Sequence, residues 1–149
     1  MTKVLTLRPA SMADAERLYA WRMDPQTQAA SLSGGDFSFD HHCRWLQSSL
    51  NRPDRQICIA LLGDQPVGMV RADRDGGGWL LSWAIAPAAR GQGAGRQMVA
   101  AMIAQLQSPV RAEIKNDNPA SLRMAAAVGL LPRHSKDGIV TVYSDDWLL

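Results

Sequence analysis

The chain has 149 residues, of which 46% are hydrophobic and 20% charged, so its length and composition favour one globular domain over residues 1–149. The net charge of +2 gives no general reason to expect binding to nucleic acid or to a membrane surface. We also expect no signal peptide, membrane span or disulfide framework, because long apolar runs are missing and the only cysteines are Cys43 and Cys58. A cytoplasmic protein is therefore predicted.

The first third of the chain predicts one strand and two helices, with a loop between the helices. Ser11 and Asp14 have the spacing of a helix capping box, and Pro25 predicts the end of the helix that they begin. Small and polar residues then predict a loop, in which a binding site would find its variable walls. The predicted elements are a strand over Lys3–Arg8, a helix from Ser11 to Pro25, a loop over Gln26–Ser38 and a helix over Asp40–Asn51.

The rest of the chain predicts a strand meander followed by alternating helices and strands. The turn at Gly63 predicts a hairpin, and a strand that follows a helix is expected to return parallel to the strand before it. The order β-α-α-β-β-β-α-β-α-β-β predicts an α/β fold of the α+β type. It should have a mixed, mostly antiparallel sheet of about six or seven strands and about four flanking helices. The predicted strands are Gln56–Leu62, Pro66–Arg74, Trp79–Ile85, Val110–Lys115, Leu130–Leu131 and Ile139–Tyr143, and the helices cover Met98–Leu106 and Ala120–Val128.

A glycine-rich stretch, Arg90–Arg96, joins the apolar strand Trp79–Ile85 to an amphipathic helix. The first N–H groups of a helix lack partners inside the helix, and the helix dipole favours anions there. The turn therefore predicts a phosphate or pyrophosphate site. It is neither a P-loop, because no Lys-Ser or Lys-Thr follows, nor a full G-x-G-x-x-G. The alternative is a tight strand-to-helix turn with no ligand.

Two spaced motifs, Arg90-x-x-Gly93-x-Gly95 and Asn118-x-x-Ser121, resemble the landmarks of the GCN5-related N-acetyltransferase (GNAT) superfamily. The opening LRPASMADAERLYAWRMDP is similar to that of amino-sugar and ribosomal-protein acetyltransferases. The resemblance covers nearly the whole chain. It implies the GNAT fold, acetyl-CoA as cosubstrate and N-acetyltransferase activity.

The resemblance also implies which residues bind CoA. Backbone N–H groups of the glycine turn would hold the pyrophosphate, with Arg90 and Arg96 nearby, and the splayed end of the preceding strand would bind the pantetheine. Asn118 would contact the CoA arm and Ser121 would lie near it, with turn formation and capping as the alternative role of both. The candidate cofactor-binding residues are Ala84, Ile85, Ala86, Arg90, Gly91, Gln92, Gly93, Ala94, Gly95, Arg96, Asn118 and Ser121.

The proton path departs from the family pattern. The position of the family's usual acid, a tyrosine, is Ala125 here, and the strand before the turn carries no carboxylate. Glu113 is the best remaining candidate for the base, and Ser82 is the polar side chain of that strand, so both are candidate catalytic residues. The alternative for Glu113 is a cross-strand ion pair with a neighbouring arginine.

Candidates for the acceptor side lie on the first two helices. The resemblance places Trp21, Arg22 and Asp24 there, and His41 and His42 lie near the start of the second helix, where a surface position is the alternative. No metal site is predicted, since neither the histidines nor the cysteines have ligand spacing. The other tryptophans are predicted core residues, namely Trp45, Trp79, Trp83 and Trp147.

The sequence thus predicts an N-acetyltransferase that modifies the primary amine of a small molecule. A nucleotide-linked amino sugar is favoured, because the opening segment and DNPASLR are similar to amino-sugar acetyltransferases. Direct attack in a ternary complex is expected, since no cysteine occupies a motif position. Acetylation of protein N-termini is one alternative, and an acyl-CoA-binding module with little turnover is another, because of Ala125. The oligomeric state is left open, a homodimer included.

Overall fold

The computed structural model describes residues 3–32 and 35–148, in which seven strands form one sheet. The strands are β1 (Leu5–Pro9), β2 (Arg55–Leu62), β3 (Gln65–Asp75), β4 (Gly78–Ile85), β5 (Val110–Lys115), β6 (Leu131–Lys136) and β7 (Ile139–Tyr143). The α-helices are α1 (Ala15–Met23), α2 (Pro25–Ala30), α3 (Phe39–Leu50), α4 (Ala94–Leu106) and α5 (Pro119–Ala127). No helix in the two described ranges is long and apolar enough to cross a lipid bilayer.

The sheet has the order β1-β2-β3-β4-β5-β7-β6, and its neighbours are antiparallel except for β4 and β5. Strand β5 follows helix α4 and pairs parallel to β4, as expected of a strand reached by a helical crossover. The mixed, mostly antiparallel sheet and the hairpin of β2 and β3 are therefore confirmed. Because β4 and β5 run the same way, the glycine turn and the Asn118 motif follow them at the same edge of the sheet.

The predicted loop over Gln26–Ser38 is wrong in its first part, because helix α2 lies there. Pro25 occupies the first turn of α2, where its missing N–H costs nothing, and the Asp24 side chain accepts a hydrogen bond from Thr27 N–H at 3.1 Å. The proline therefore separates two helices and does not begin a loop. Residues 33–34 of the predicted loop lie outside the described residues.

The last hairpin is longer than its apolar residues predict. The sequence predicts a strand only over Leu130–Leu131, whereas β6 continues to Lys136. Every residue of β6 is exposed, and the strand lies at the edge of the sheet. An exposed edge strand has no alternating apolar pattern, so nothing in the sequence marks its length.

The sheet separates α4 from α3. A Cβ built at Gly68 of β3 would lie 3.1 Å from the Met98 sulfur, so that face of the strand meets α4. On the opposite face Arg55 of β2 donates from Nη1 to Ser49 Oγ of α3, and Arg55 pairs with Asp73 of β3 in the sheet. Because side chains alternate along a strand, the buried Val70 and Ala72 of β3 face α4, while its α3 face carries charged side chains.

The capping box predicted at Ser11 is confirmed. The Asp14 carboxylate accepts from Ser11 N–H at 2.9 Å, and Ser11 Oγ accepts from Ala13 N–H at 3.3 Å. The Asp14 side chain is 1% exposed and pairs with Arg8 at 2.7 Å and with Arg17 at 2.9 Å. The hydrogen bond from Arg8 holds the pKa of Asp14 below its usual range. This ion pair joins β1 to the start of the helical layer.

Replacing Asp14 by alanine is expected to lower the free energy of unfolding by about 3 kcal/mol, because two guanidinium groups lose a buried partner and the helix loses its cap. Asp54→Ala is the matched control: Asp54 also pairs with an arginine, Arg52, at 2.9 Å, but its side chain is 50% exposed. The control should lose much less stability, because an exposed ion pair is screened by solvent. Urea unfolding followed by circular dichroism measures both variants, and equal losses would contradict the role of burial.

Candidate active site

Strands β4 and β5 separate before they end. Their parallel ladder begins at Trp79 and ends where Leu81 faces Ala112. Beyond this point β4 remains paired with β3 as far as Ile85, while β5 remains paired with β7 as far as Lys115. Each strand is then held on one side only, and a cleft opens between them.

The backbone of β4 is directed into this cleft at alternate residues. Ala86 N–H donates to β3 at 2.8 Å, whereas Trp79 N–H donates to Pro109 O on the opposite side at 2.9 Å. The alternation of an extended strand therefore points the backbone groups of Trp83 and Ile85 towards β5, past the last residue pair of the ladder. These N–H and C=O groups are available to a ligand between the strands.

Ser82 and Glu113 lie on the same face of the sheet, one on each wall of the cleft, because Leu80 pairs with Arg111 two residues before them. Ser82 is exposed, and Glu113 is 33% exposed with its Oε1 3.6 Å from Arg111 Nη1. Arg111 also donates to the Asp75 carboxylate. The ion pair predicted as the alternative for Glu113 is thus present, although its arginine lies on the same strand and not across from it.

The turn between β4 and α4 contains Gly91 and Gly93, both with a φ of +77°. This left-handed conformation favours glycine, and open space surrounds the Cβ position of each. Gly93 is the N-cap of α4 and has no capping side chain, and the first backbone bond of the helix runs from Gln97 N–H to Gly93 O at 3.3 Å. The N–H groups of Ala94–Arg96 therefore begin the helix without a side-chain cap, as an anion site requires.

The two arginines of the turn differ in their surroundings. Arg96 is exposed and makes no ion pair within the described ranges, while Arg90 Nη2 lies 2.6 Å from Asp24 Oδ2 at the start of α2. The hydrogen bond from Arg90 lowers the pKa of Asp24. On the opposite wall Lys115 Nζ donates to Ala29 O of α2 at 2.9 Å. The charge of Arg90 is thus neutralised within the protein, and α2 is bound to both walls of the cleft.

The second motif forms the start of α5. Asn118 is the N-cap of this helix, and its Oδ1 accepts a hydrogen bond from Ser121 N–H at 3.2 Å. Capping, the alternative role of Asn118, is therefore present, and contact of Asn118 and Ser121 with CoA stays a prediction. Ala125 of the same helix is fully buried. The acid position of the family thus holds a packed methyl group with no proton to donate.

The sequence matches the family model of the acetyltransferase (GNAT) domain over residues 4–131. The chain belongs to the GNAT acetyltransferases. The spermidine N-acetyltransferase from Vibrio cholerae, solved with CoA and spermine, has a TM-score of 0.84 at 14% identity, with 93% of this chain and 94% of that chain covered. AAC(6')-Ib, solved with ribostamycin and coenzyme A, has a TM-score of 0.80 at 17% identity, with 95% and 93% covered. A domain from Methanocaldococcus jannaschii has a TM-score of 0.82 at 19% identity, with 95% and 97% covered.

At such identities the solved structures establish the fold, and the GNAT fold and family predicted from the two motifs are confirmed. No curated protein matches the sequence significantly. By fold and by sequence family the protein is therefore a GNAT-family N-acetyltransferase.

The predicted acceptor-side residues of this GNAT protein lie in different environments. Trp21 is buried in the core, and His42 is 1% exposed, with neither ring nitrogen hydrogen-bonded among the described residues. Burial lowers the pKa of His42, and the nearby charge of Arg22 adds to the effect. His41 is exposed and stacks on Phe37 with ring centroids 5.2 Å apart. Within the described part of the chain, no three metal-ligating side chains come together.

Two residues near the cleft carry no recognisable signal in the sequence. Arg71 of β3 lies directly opposite Ser82 in the β3–β4 ladder. Trp45, predicted as a core residue, is only partly buried, and the guanidinium carbons of three arginines lie 5.1, 5.7 and 5.8 Å from its ring centroid. Alternation along β3 places Arg71 on its polar face, but only the strand register brings that face beside Ser82.

Acidification from pH 7 to pH 5 is expected to destabilise the wild-type protein more than the His42→Gln variant. Because the pKa of His42 is held below its usual value of about 6.5, the unfolded chain takes up the proton first. The stability of the folded state then falls as the pH drops through that value. Urea midpoints at both pH values measure the difference. His41→Gln, which alters the exposed neighbour, is the control. If His42→Gln retained the full pH dependence of the wild-type protein, His42 would not be the group that causes it.

Proposed function

We propose that this GNAT protein transfers the acetyl group of acetyl-CoA to the primary amine of a small molecule, within a ternary complex of enzyme, acetyl-CoA and acceptor. One observation carries the proposal. The strand whose backbone faces the cleft ends at Ile85, and a single 3₁₀ turn, Pro87–Ala89, leads from it to the uncapped start of α4. The same segment thus offers two kinds of hydrogen-bonding groups in succession. The backbone of β4 suits an extended ligand chain, and the N–H groups at the start of α4 suit an anion.

The residues at this site fit acetyl-CoA. The N–H groups of Ala94–Arg96, together with the helix dipole, would hold the pyrophosphate, and the glycines of the turn place no side chain in its way. Of Ala84, Ile85 and Ala86, Ile85 has its backbone directed to the cleft and would hold the pantetheine, whereas Ala86 N–H donates to β3. Asn118 and Ser121 follow the opposite strand. When bound, acetyl-CoA supplies an activated acyl group in the form of a thioester.

The chain's own groups account for the first of the two proton transfers. Glu113 would accept a proton from the acceptor ammonium, directly or through a water. The neutral nitrogen then forms the new C–N bond to the acetyl carbon while the C–S bond of the thioester breaks, and Ile85 N–H would donate a hydrogen bond to the acetyl oxygen. Water carries the second nitrogen proton to the departing thiolate, because Ala125 cannot supply one. A thiol pKa of about 8.5 keeps this step feasible without an acid.

Gly93→Ala is expected to weaken CoA binding at least about tenfold, because a Cβ strains this left-handed N-cap and stands beside the free N–H groups. Gly76→Ala is the matched control. Gly76 has a φ of +62° and open space around its Cβ position, but it lies in the turn between β3 and β4. Gly76→Ala should introduce the same backbone strain and keep the wild-type affinity for CoA. Calorimetric titration with CoA measures both variants, and equal affinity in the two would remove the turn from the CoA site.

Glu113→Gln is expected to lower kcat about 100-fold at neutral pH while the affinity for CoA stays at the wild-type level, since a base is lost and the cofactor contacts remain. The assay is the release of free thiol from acetyl-CoA in the presence of an amine. Glu16→Gln alters the only other glutamate of the sequence, exposed on α1, and serves as the control. Full turnover in Glu113→Gln would show that the base is another group.

The acceptor class rests on the opening segment. Its similarity to amino-sugar acetyltransferases favours a nucleotide-linked amino sugar, and its similarity to ribosomal-protein acetyltransferases makes protein N-termini the second enzymatic candidate. The solved neighbours support an amine in general, since they include a spermidine N-acetyltransferase and an aminoglycoside acetyltransferase. Their identities of 14% and 17% give no support for one amine over another.

The buried Ala125 favours a different function as the second candidate, an acyl-CoA-binding module with little turnover. Thiol release with a panel of amines, measured beside a CoA titration, separates the two functions. Amine-dependent thiol release supports the enzyme. Tight CoA binding with no release on any amine supports the binding module.

A further inference from the structure

Three arginines lie together on the face of the sheet that α3 covers. Arg22 of α1, Arg55 of β2 and Arg71 of β3 surround the ring of Trp45, with their Cζ atoms 5.1, 5.7 and 5.8 Å from its centroid. Arg22 also lies over the ring of Phe37, at 4.0 Å. We refer to Arg22, Arg55 and Arg71 as the arginine cluster.

A single carboxylate pairs with two of the three arginines. Asp73 accepts from Arg55 Nε at 2.6 Å and from Arg71 Nε at 3.0 Å. Arg22 has no ion pair with any described residue, and its Nη1 is buried without a hydrogen-bond partner. Burial lowers the pKa of Arg22, and the charge of Arg71 adds to the effect, but an arginine remains protonated at neutral pH. Because an unpaired buried charge is costly, an anionic partner would stabilise the cluster.

Arg71 is the member of the cluster on the strand next to β4, which forms one wall of the cleft. It faces Ser82 across the β3–β4 ladder, and 29% of its side chain is exposed. Among the described residues, Asp73 engages only the Nε of Arg71. The two terminal nitrogens are therefore open to the bidentate hydrogen bonding that a guanidinium group offers a carboxylate or a phosphate.

The opposite wall of the cleft carries one carboxylate, Glu113. The cation nearest to Glu113 is Arg111, which also pairs with Asp75 at the end of β3. Arg71, Ser82 and Glu113 belong to three successive strands, so the backbones of Arg71 and Glu113 lie at least about 10 Å apart, twice the usual strand spacing of about 4.8 Å. A ligand across the cleft would meet a carboxylate at one end and a guanidinium group at the other.

We infer that the acceptor is an amine that also carries an oxyanion, either a carboxylate or a phosphate, which Arg71 and Arg22 bind while the amino group faces Glu113. The inference rests on the proposed acetyltransferase function and names its substrate class. The same charges disfavour polyamines, which would bring an additional ammonium group against a cluster of three guanidinium groups with one carboxylate. This chain therefore differs in acceptor preference from the neighbour that acetylates spermidine.

Paired acceptors test the inference in the thiol-release assay. We expect kcat/KM to be about 10- to 100-fold higher for 3-aminopropyl phosphate or 4-aminobutyrate than for the uncharged counterparts 3-aminopropanol and 4-aminobutanamide, because only the charged pair members can use charge-assisted hydrogen bonds. The phosphate and carboxylate pairs distinguish the two oxyanions. Faster acetylation of the uncharged amines or of spermidine would overturn the inference.

Arginine variants locate the oxyanion. Arg71→Gln should reduce the ratio of kcat/KM for the anionic and the uncharged acceptor at least about tenfold, and Arg71→Lys should restore part of it by keeping the charge without the planar fork. Arg44→Gln, which removes an exposed arginine of α3 outside the cluster, should keep the wild-type ratio. Equal ratios in Arg71→Gln and Arg44→Gln would overturn the assignment. Arg22→Gln is the second variant should Arg71→Gln fail to fold.

Anion binding measured without turnover separates this inference from the proposed function. CoA-saturated protein is titrated with inorganic phosphate while tryptophan fluorescence is recorded, and we expect a saturable change that Trp45→Phe abolishes and Arg71→Gln weakens at least about tenfold. Such binding without thiol release on any amine refutes the acetyltransferase proposal and supports the anion site. Turnover of uncharged amines alone, with no change on adding phosphate, supports the enzyme and refutes the anion site.

Discussion

The site depends on the separation of β4 and β5 after Leu81 and Ala112. A continuous ladder would use the backbone groups of Trp83 and Ile85 to bind β5 and leave none for a ligand. The strands can separate because each keeps a partner on its other side, β3 for β4 and β7 for β5. Helix α2 then spans the opening, since Arg90 on one wall and Lys115 on the other are hydrogen-bonded to it.

The two sides of the cleft use different kinds of chemistry. The proposed cofactor side consists of main-chain groups, which need only an extended strand, two left-handed glycines and an uncapped helix start. The proposed acceptor side consists of charged side chains contributed by separate elements, Arg22 from α1, Arg71 from β3 and Glu113 from β5. Such side chains can change without a change of backbone. Membership of the GNAT family therefore indicates the class of reaction, whereas the identity of the acceptor depends on these side chains.

Particular residues show what could be predicted and why. The capping box at Ser11 and the turn at Gly93 were predictable, because each depends on neighbours within a few residues. Pro25 was ambiguous, since a proline suits both the residues after a helix and the first turn of the next one, and it does the second here. The length of strand β6 could not be predicted, because its exposed residues carry no apolar pattern.

By itself the sequence determined the family, the mostly antiparallel sheet, the glycine turn and the missing acid at Ala125, all of which follow from short motifs and from the order of the elements along the chain. Only the tertiary structure decided that Arg90 binds Asp24, 66 residues away, that His42 is buried, and that Trp45 is surrounded by arginines. The physical reason is strand register. A slip of one residue would turn Arg71 to the opposite face of the sheet and remove it from the cleft, although its local sequence would be unchanged.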